Sequence, residues 1–243
     1  MLTKSTIKFI KSLQEKKYRK QEQCFIVEGG KSVLEVLASD FELRIILGTE
    51  TFIQDLPTIK DGTELYVVKP DLLSTLGDFK TNDAALAVVQ MKKWDTVTIA
   101  QDNFTLVLDD IRDPGNLGTI IRTADWYGIT QILASEETVD FYNTKVINAT
   151  KGSFTRVNVF YTDLTEVLAA NTLPVYGAFL DGQNVHQTSF PKAGLLIIGN
   201  ESNGISKELS QKVTHPITIP KLGLAESLNA AIATAILLDN IKR

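Results

Sequence analysis

Residues 217–238 read I-T-I-P-K-L-G-L-A-E-S-L-N-A-A-I-A-T-A-I-L-L. Residues 217–219 predict a short buried strand, which Pro220 and Gly223 break. Glu226, Ser227, Leu228 and Asn229 fill the loop, and no charge follows until Asp239. A helix apolar on every side predicts central packing, beginning about Asn229, with Ser227 or Asn229 offering a side-chain oxygen to its first turn. The unpaired N–H groups at its start then lie inside the protein beside a glycine-containing loop, the makings of a ligand loop.

Two further stretches follow the same order of buried strand, turn residues and helix. In L-V-L-D-D-I-R-D-P-G-N-L-G-T-I-I-R-T-A-D, residues 106–125, Pro114, Gly115 and Gly118 flank Asn116 ahead of a helix that carries Arg122. In L-L-I-I-G-N-E-S-N-G-I-S, residues 195–206, Gly199 ends the strand, and Asn200 and Glu201 occupy the turn. Ligands of open α/β sheets lie at the carboxyl ends of the strands, so three such loops nominate one pocket. Taken singly, each residue has a plainer reading. The glycines supply turn geometry, Arg122 pairs with Asp125 on its own helix, Glu201 favours a helix N-terminus, and Ser227 or Asn229 acts only as a cap. Three polar, non-periodic insertions at the ends of buried strands exceed what folding requires.

The chain has 243 residues, 44% of them hydrophobic, enough for one large or two modest cores. In the first half, residues 25–27, 43–47, 65–68 and 85–89 read as strands, with helices at 31–38 and 70–76, a small α/β domain over residues 1–93. Residues 94–103 read as a linker. Residues 104–243 carry apolar runs at 106–108, 131–134, 157–160, 175–179, 195–198 and 217–219, alternating with helical patterns, which predicts a parallel sheet covered on both faces.

The net charge of −4 is unevenly spread. Residues 1–31 hold eight basic against three acidic residues, whereas residues 94–243 hold 11 against 16. A basic end on an acidic body is the footprint of a polyanion-binding arm, although Ile7, Ile10 and Leu13 also space like the apolar stripe of a helix whose lysines are simply its wet side. The first residues lack the apolar core of a secretory signal, and the longest apolar run is too short to span a bilayer, so a cytoplasmic protein is expected. The single Cys24 excludes an intrachain disulfide and reads as a small core residue; His186 and His215 stand apart without cysteine partners, so no metal site is expected. V-E-G-G-K-S at 27–32 ends like a P-loop, but Phe25 stands where its first glycine belongs. The chain contains neither a strand-borne G-x-G-x-x-G nor a G-x-S-x-G elbow.

D-P-G-N-L-G-T-I-I-R-T-A-D, I-G-N-E-S-N-G-I-S and I-P-K-L-G-L-A-E-S-L-N-A-A-I-A resemble, in order, the three signature motifs of the SpoU (TrmH-type) RNA 2′-O-ribose methyltransferases of the SPOUT superfamily. The first half is similar to that family's N-terminal substrate-binding domain, which resembles a small ribosomal-protein fold. The resemblance implies an α/β parallel-sheet domain with a deep trefoil knot, a homodimer, an RNA substrate, and S-adenosylmethionine as cofactor without metal. It implies Gly199, Ile219 and Leu228 at the cofactor, and Asn116, Arg122, Glu201, Ser227 and Asn229 as catalytic and substrate-site residues. Lys221 departs from the methionine common after the proline. The N-terminal domain favours ribosomal over transfer RNA. Two other classes compete: a non-catalytic RNA-binding or ribosome-assembly protein on the same scaffold, and a small-molecule α/β transferase, which leaves the basic arm unexplained.

Overall fold

A computed structural model describes residues 2–59, 61–79, 81–93 and 97–243. The chain divides into two compact units: residues 1–93 together with 140–155, and residues 94–139 together with 156–243. Residues 140–155, which the sequence places inside the second domain, thus fold with the first. The linker expected at 94–103 falls partly on residues 94–96, outside the described residues.

The first unit runs α1 (Lys4–Ser12), α2 (Lys16–Glu22), β1 (Cys24–Glu28), α3 (Gly30–Leu37), β2 (Leu43–Gly48), α4 (Glu50–Gln54), β3 (Glu64–Val67), α5 (Pro70–Leu76) and β4 (Ala85–Gln90). Its sheet has the order β1-β4-β2-β3, with β4 antiparallel to both neighbours and β2 parallel to β3. All of β1 is buried. Pleating explains how: Cys24 and Ile26 join Ile10, Leu13, Leu73 and Leu76 in one core, while Phe25 points the other way and meets Phe41, Tyr142 and Phe154. Tyr142 and Phe154 belong to the returning segment, which also carries the short helix Thr144–Thr150. Segment 140–155 therefore contributes aromatic side chains to the core on that face of β1.

Two buried charges hold it there. Arg19, 1% exposed, donates to Asp140 Oδ2 from Nε at 3.2 Å and from its second amino group at 2.5 Å. Its remaining amino group donates to the carbonyls of Leu13 and Gln14. Glu28, equally buried, accepts from the N–H groups of Asp78 and Phe79 and from Asn148 Nδ2. This role accounts for the P-loop-like V-E-G-G-K-S: its glutamate is a structural staple. Arg19 also corrects the charge reading of residues 1–31, since it is an internal ion-pair member, whereas the seven lysines of that stretch are exposed. We expect Arg19→Ala to destabilise the protein by about 3–5 kcal/mol, because Asp140 and two carbonyls lose their partner inside the protein. Urea denaturation followed by circular dichroism measures the loss; a change below about 1 kcal/mol, the size expected of an exposed pair, would contradict this role.

The second unit contains β5 (Phe104–Leu108), α6 (Pro114–Trp126), β6 (Gln131–Ala134), β7 (Asn158–Tyr161), α8 (Leu164–Ala169), β8 (Val175–Asn184), β9 (Gly194–Ile198), α9 (Lys207–Ser210), β10 (His215–Thr218) and α10 (Ala230–Ile241), α7 being the helix Thr144–Thr150 of the first unit. Its six strands are all parallel, in the order β10-β8-β9-β5-β6-β7. Val107, Leu133, Leu195 and Ile197 pack with Leu164, Leu168 and Leu209 on one face. Their neighbours Leu106, Ile132, Leu196 and Ile198 are as deeply buried, so both faces are covered, as a parallel sheet requires. After β5 the chain proceeds to β6 on one side, whereas β9 adjoins β5 on the other. The carboxyl ends of β5 and β9 therefore form a topological switch point, the place where such sheets bind ligands.

Helices α6 and α10 pack against each other. In α6 the side chains of Leu117, Ile120, Ile121 and Ala124 form a buried stripe at helical spacing. The expectation that α10 has no face to water needs correction. Ala230, Ala231, Thr234, Leu237, Leu238 and Ile241 are buried, but Ile232 is 52% exposed, so an apolar outer face remains. No helix among the described residues is long and apolar enough to cross a membrane.

Candidate functional site

All three loops end at the switch point. Asp113 caps α6, its Oδ1 accepting from Asn116 N at 2.7 Å, and Pro114 occupies the first helical position, where a missing N–H costs nothing. The cap points Asn116 toward the loop after β9. That loop turns back at once: Asn200 and Gly204 exchange backbone hydrogen bonds of 3.1 and 2.9 Å, and Asn200 Oδ1 accepts from Ser202 N and Asn203 N. A Cβ built on Gly199 lands within the backbone of Gly204 and Ile205, so only glycine fits there. The loop after β10 delivers Asn229, whose Oδ1 caps α10 through Ala231 N at 3.0 Å and Ile232 N at 3.3 Å.

The three loops meet in a side-chain relay. Asn116 Nδ2 donates to Glu201 Oε1, and Asn116 Oδ1 accepts from Asn229 Nδ2 at 2.8 Å. Both ends of the Asn116 amide are thus occupied by groups of opposite hydrogen-bonding sense, which fixes its orientation, while each side-chain NH2 keeps one more hydrogen to donate. Asn229 is both cap and relay member, so the cap reading and the site reading of this residue hold together. Glu201, expected on the plainer reading to favour a helix start, instead accepts from Asn116.

Beside the relay opens a cleft of about 840 Å³ lined from the middle of β8, the ends of β9 and β10, the loops that follow them, and α10. Gly199, Glu201, Ile219, Ser227 and Leu228 all line it. Its size falls within the range of small-molecule sites, and much of its wall comes from the loops after β9 and β10. Among the described residues there is no cluster of three metal-ligating side chains.

Arg122 stands apart from this assembly. Six residues beyond Asn116 it lies about 9 Å farther along the helix and roughly a third of a turn around it. It does not line the cleft, and among the described residues it has neither hydrogen bond nor ion pair. The plainer reading, a pair with Asp125, is overturned, because Asp125 is taken by Arg156, which donates to both carboxylate oxygens at 2.9–3.1 Å. Sequence reading missed the cap at Asp113, although D-P before a helix is a start signal, and missed the turn-forming side chain of Asn200.

Residues 103–239 match the SpoU rRNA Methylase family, and residues 4–87 match the MRM3-like substrate binding domain. The chain belongs to the SpoU rRNA methylase family. It is 33% identical to the 23S rRNA (guanosine(2553)-2′-O)-methyltransferase RlmP of Bacillus subtilis, over 97% of this chain and 95% of that protein. The AdoMet-bound rRNA methyltransferase from Sinorhizobium meliloti superposes with a TM-score of 0.89 at 28% identity, covering 99% and 95% of the two chains. The SpoU methyltransferase AviRb from Streptomyces viridochromogenes, in complex with AdoMet, gives 0.85 at 25%, covering 98% and 97%. The parallel-sheet unit and the small N-terminal α/β unit expected from the sequence are both those of this family.

Proposed function

We propose that this protein transfers a methyl group to a ribose 2′-hydroxyl of ribosomal RNA, as a cytoplasmic homodimer with a knotted methyltransferase domain. The observation that carries the chemistry is the Glu201–Asn116–Asn229 relay, whose Glu201 also lines the cleft.

S-adenosylmethionine fits the cleft by size, with Gly199, Ile219 and Leu228 of its lining as the residues that would hold it, and when bound it supplies an electrophilic methyl group on a sulfonium. The protein's task is to place a hydroxyl oxygen in line with that methyl, so positioning supplies much of the rate. The free amide hydrogens of Asn116 and Asn229 orient the 2′-oxygen, and Ser227 offers its hydroxyl from the cleft lining. Glu201 Oε2, without a hydrogen bond among the described residues, is the carboxylate oxygen open to the departing proton. Arg122 does not serve as the base, because a guanidinium with a pKa above about 12 holds its proton. Its place is as a fixed positive charge for the adjacent phosphate and the developing alkoxide.

The dimer reading rests on apolar surface. Trp126 on α6 is 84% exposed, Ile232 on α10 is 52% exposed, and Leu222 and Leu224 in the loop before α10 are each 99% exposed. A monomer leaves this surface in water, whereas an interface between copies covers it. The exposed lysines of α1 and α2 supply the polyanion contact of the first unit.

Mapping ribose methylation across ribosomal RNA in cells with and without the gene is the test. Loss of one 2′-O-methyl mark, restored by the purified protein and S-adenosylmethionine on unmodified ribosomal RNA, is expected. Intact marks together with impaired ribosome assembly would support the non-catalytic alternative instead.

A further inference from the structure

Asp110, two residues beyond the end of β5, has φ +59°, a conformation that side-chain-bearing residues seldom adopt, with aspartate and asparagine among those that tolerate it best. Its neighbours hold it there. Its N–H donates to Ser135 Oγ at 3.0 Å, and its carbonyl accepts from Asn200 Nδ2 at 2.8 Å, the residue before Glu201. One residue earlier, Asp109 Oδ2 accepts from Ser206 N at 2.6 Å, which anchors the far end of the same loop. The Asp110 side chain is only 20% exposed: its Oδ2 lies 3.4 Å from Asn200 Nδ2, and its Oδ1 accepts from Arg112 Nε at 2.6 Å.

Contact through Nε uses only the inner edge of the guanidinium. Both terminal amino groups of Arg112 remain without a partner among the described residues, and the side chain is 69% exposed. Arg112 lies four residues before Asn116 and, through Asp110 and Asn200, next to Glu201. A tethered guanidinium with a free outer fork at the rim of the relay has the geometry of a phosphate clamp.

We propose that Arg112, held out by Asp110, grips an RNA backbone phosphate beside the nucleotide whose ribose enters the relay. This inference rests on the reading of the protein as an RNA methyltransferase. It makes Arg112 a substrate-positioning residue and Asp110 the group that presents it, and it ties RNA capture to the same turn that locks the Glu201 loop.

The test uses the full-length protein and an unmodified ribosomal RNA fragment that carries the target nucleotide. Arg112→Ala is expected to raise KM for RNA about five- to tenfold with little change in kcat or in the Kd of S-adenosylmethionine. By fluorescence anisotropy its salt dependence should become shallower by about 0.7–0.9 in the log–log slope, the share of one lost phosphate contact. Arg112→Lys should restore the slope but only part of the affinity, because a point charge cannot form the fork. Asp110→Asn keeps the tolerated turn and its backbone bonds but removes the carboxylate charge and so weakens the tether on Arg112, and should raise KM by a smaller factor. An Arg112→Ala protein with parental KM and parental salt slope overturns the proposal, as does one whose loss lies in Tm or cofactor affinity. A parent that binds RNA but methylates none would refute the enzymatic reading alone, since the anisotropy slopes still judge Arg112.

Discussion

Arg122→Ala is expected to lose methyl transfer by a factor of about a hundred or more while the fold, the oligomeric state and cofactor affinity change little. The expectation follows from where the side chain is and what it lacks. Arg122 projects from the exposed side of α6, opposite the stripe of Leu117, Ile120, Ile121 and Ala124 that packs the helix, so its removal opens no cavity. It has no ion-pair partner among the described residues, so no buried charge is orphaned. What disappears is a permanent positive charge available to phosphate or alkoxide. Arg122→Lys should recover part of the rate, since charge returns without the bidentate geometry. Single-turnover transfer at saturating RNA reads the chemical step directly. A folded Arg122→Ala protein of parental oligomeric state that is nearly as fast as the parent would take Arg122 out of the active site, and its supposed alternative partner Asp125 would not explain it, being held by Arg156.

Gly199→Val is expected to abolish S-adenosylmethionine binding, weakening it by about a hundredfold or more. The obstacle to a side chain at 199 is backbone, the carbonyl of Gly204 and the amide of Ile205, and backbone cannot rotate aside as a flexible side chain can. Accommodating even a methyl group means breaking the paired Asn200–Gly204 hydrogen bonds, and with them the turn that carries Glu201 and lines the cleft. Calorimetry with the cofactor alone measures the effect, and circular dichroism separates it from unfolding. Parental affinity in Gly199→Val would show that the observed turn is not the conformation that binds.

Much of this was legible beforehand because strands and loops obey local rules. The run at residues 131–134 is strand β6 as read, and residues 195–198 and 106–108 lie within β9 and β5, since continuous β-branched and leucine runs suit strands buried on both faces. Asn229 as a cap follows from its type and its place before an apolar helix. Side-chain partnerships were not legible. Glu201 and Asn116 are far apart in the chain, and nothing local to either says that one donates to the other. The same holds for Arg19, whose composition suggests a wet basic helix but whose guanidinium is buried against Asp140.

Residues 140–155 show the division most sharply. Their sequence lies within the stretch matched to the methyltransferase family, between β6 and β7, yet Tyr142 and Phe154 cover Phe25 of the first unit. A truncation at residue 93 would therefore strip one face of β1's core and leave these aromatic side chains in water, so the RNA role of the N-terminal unit is better examined by replacing exposed lysines in the whole protein. By itself the sequence determined the alternation of elements, the parallel sheet, the three loops and the residue types at their tips, because hydrophobic periodicity and turn chemistry act over a few neighbouring residues. Only the tertiary structure decided which loop side chains bond to one another, that Arg122 stands clear of the cleft, and which core residues 140–155 complete. Those outcomes depend on burial and on pairings between residues far apart in the chain, and no local pattern encodes a partner that the fold alone brings within reach.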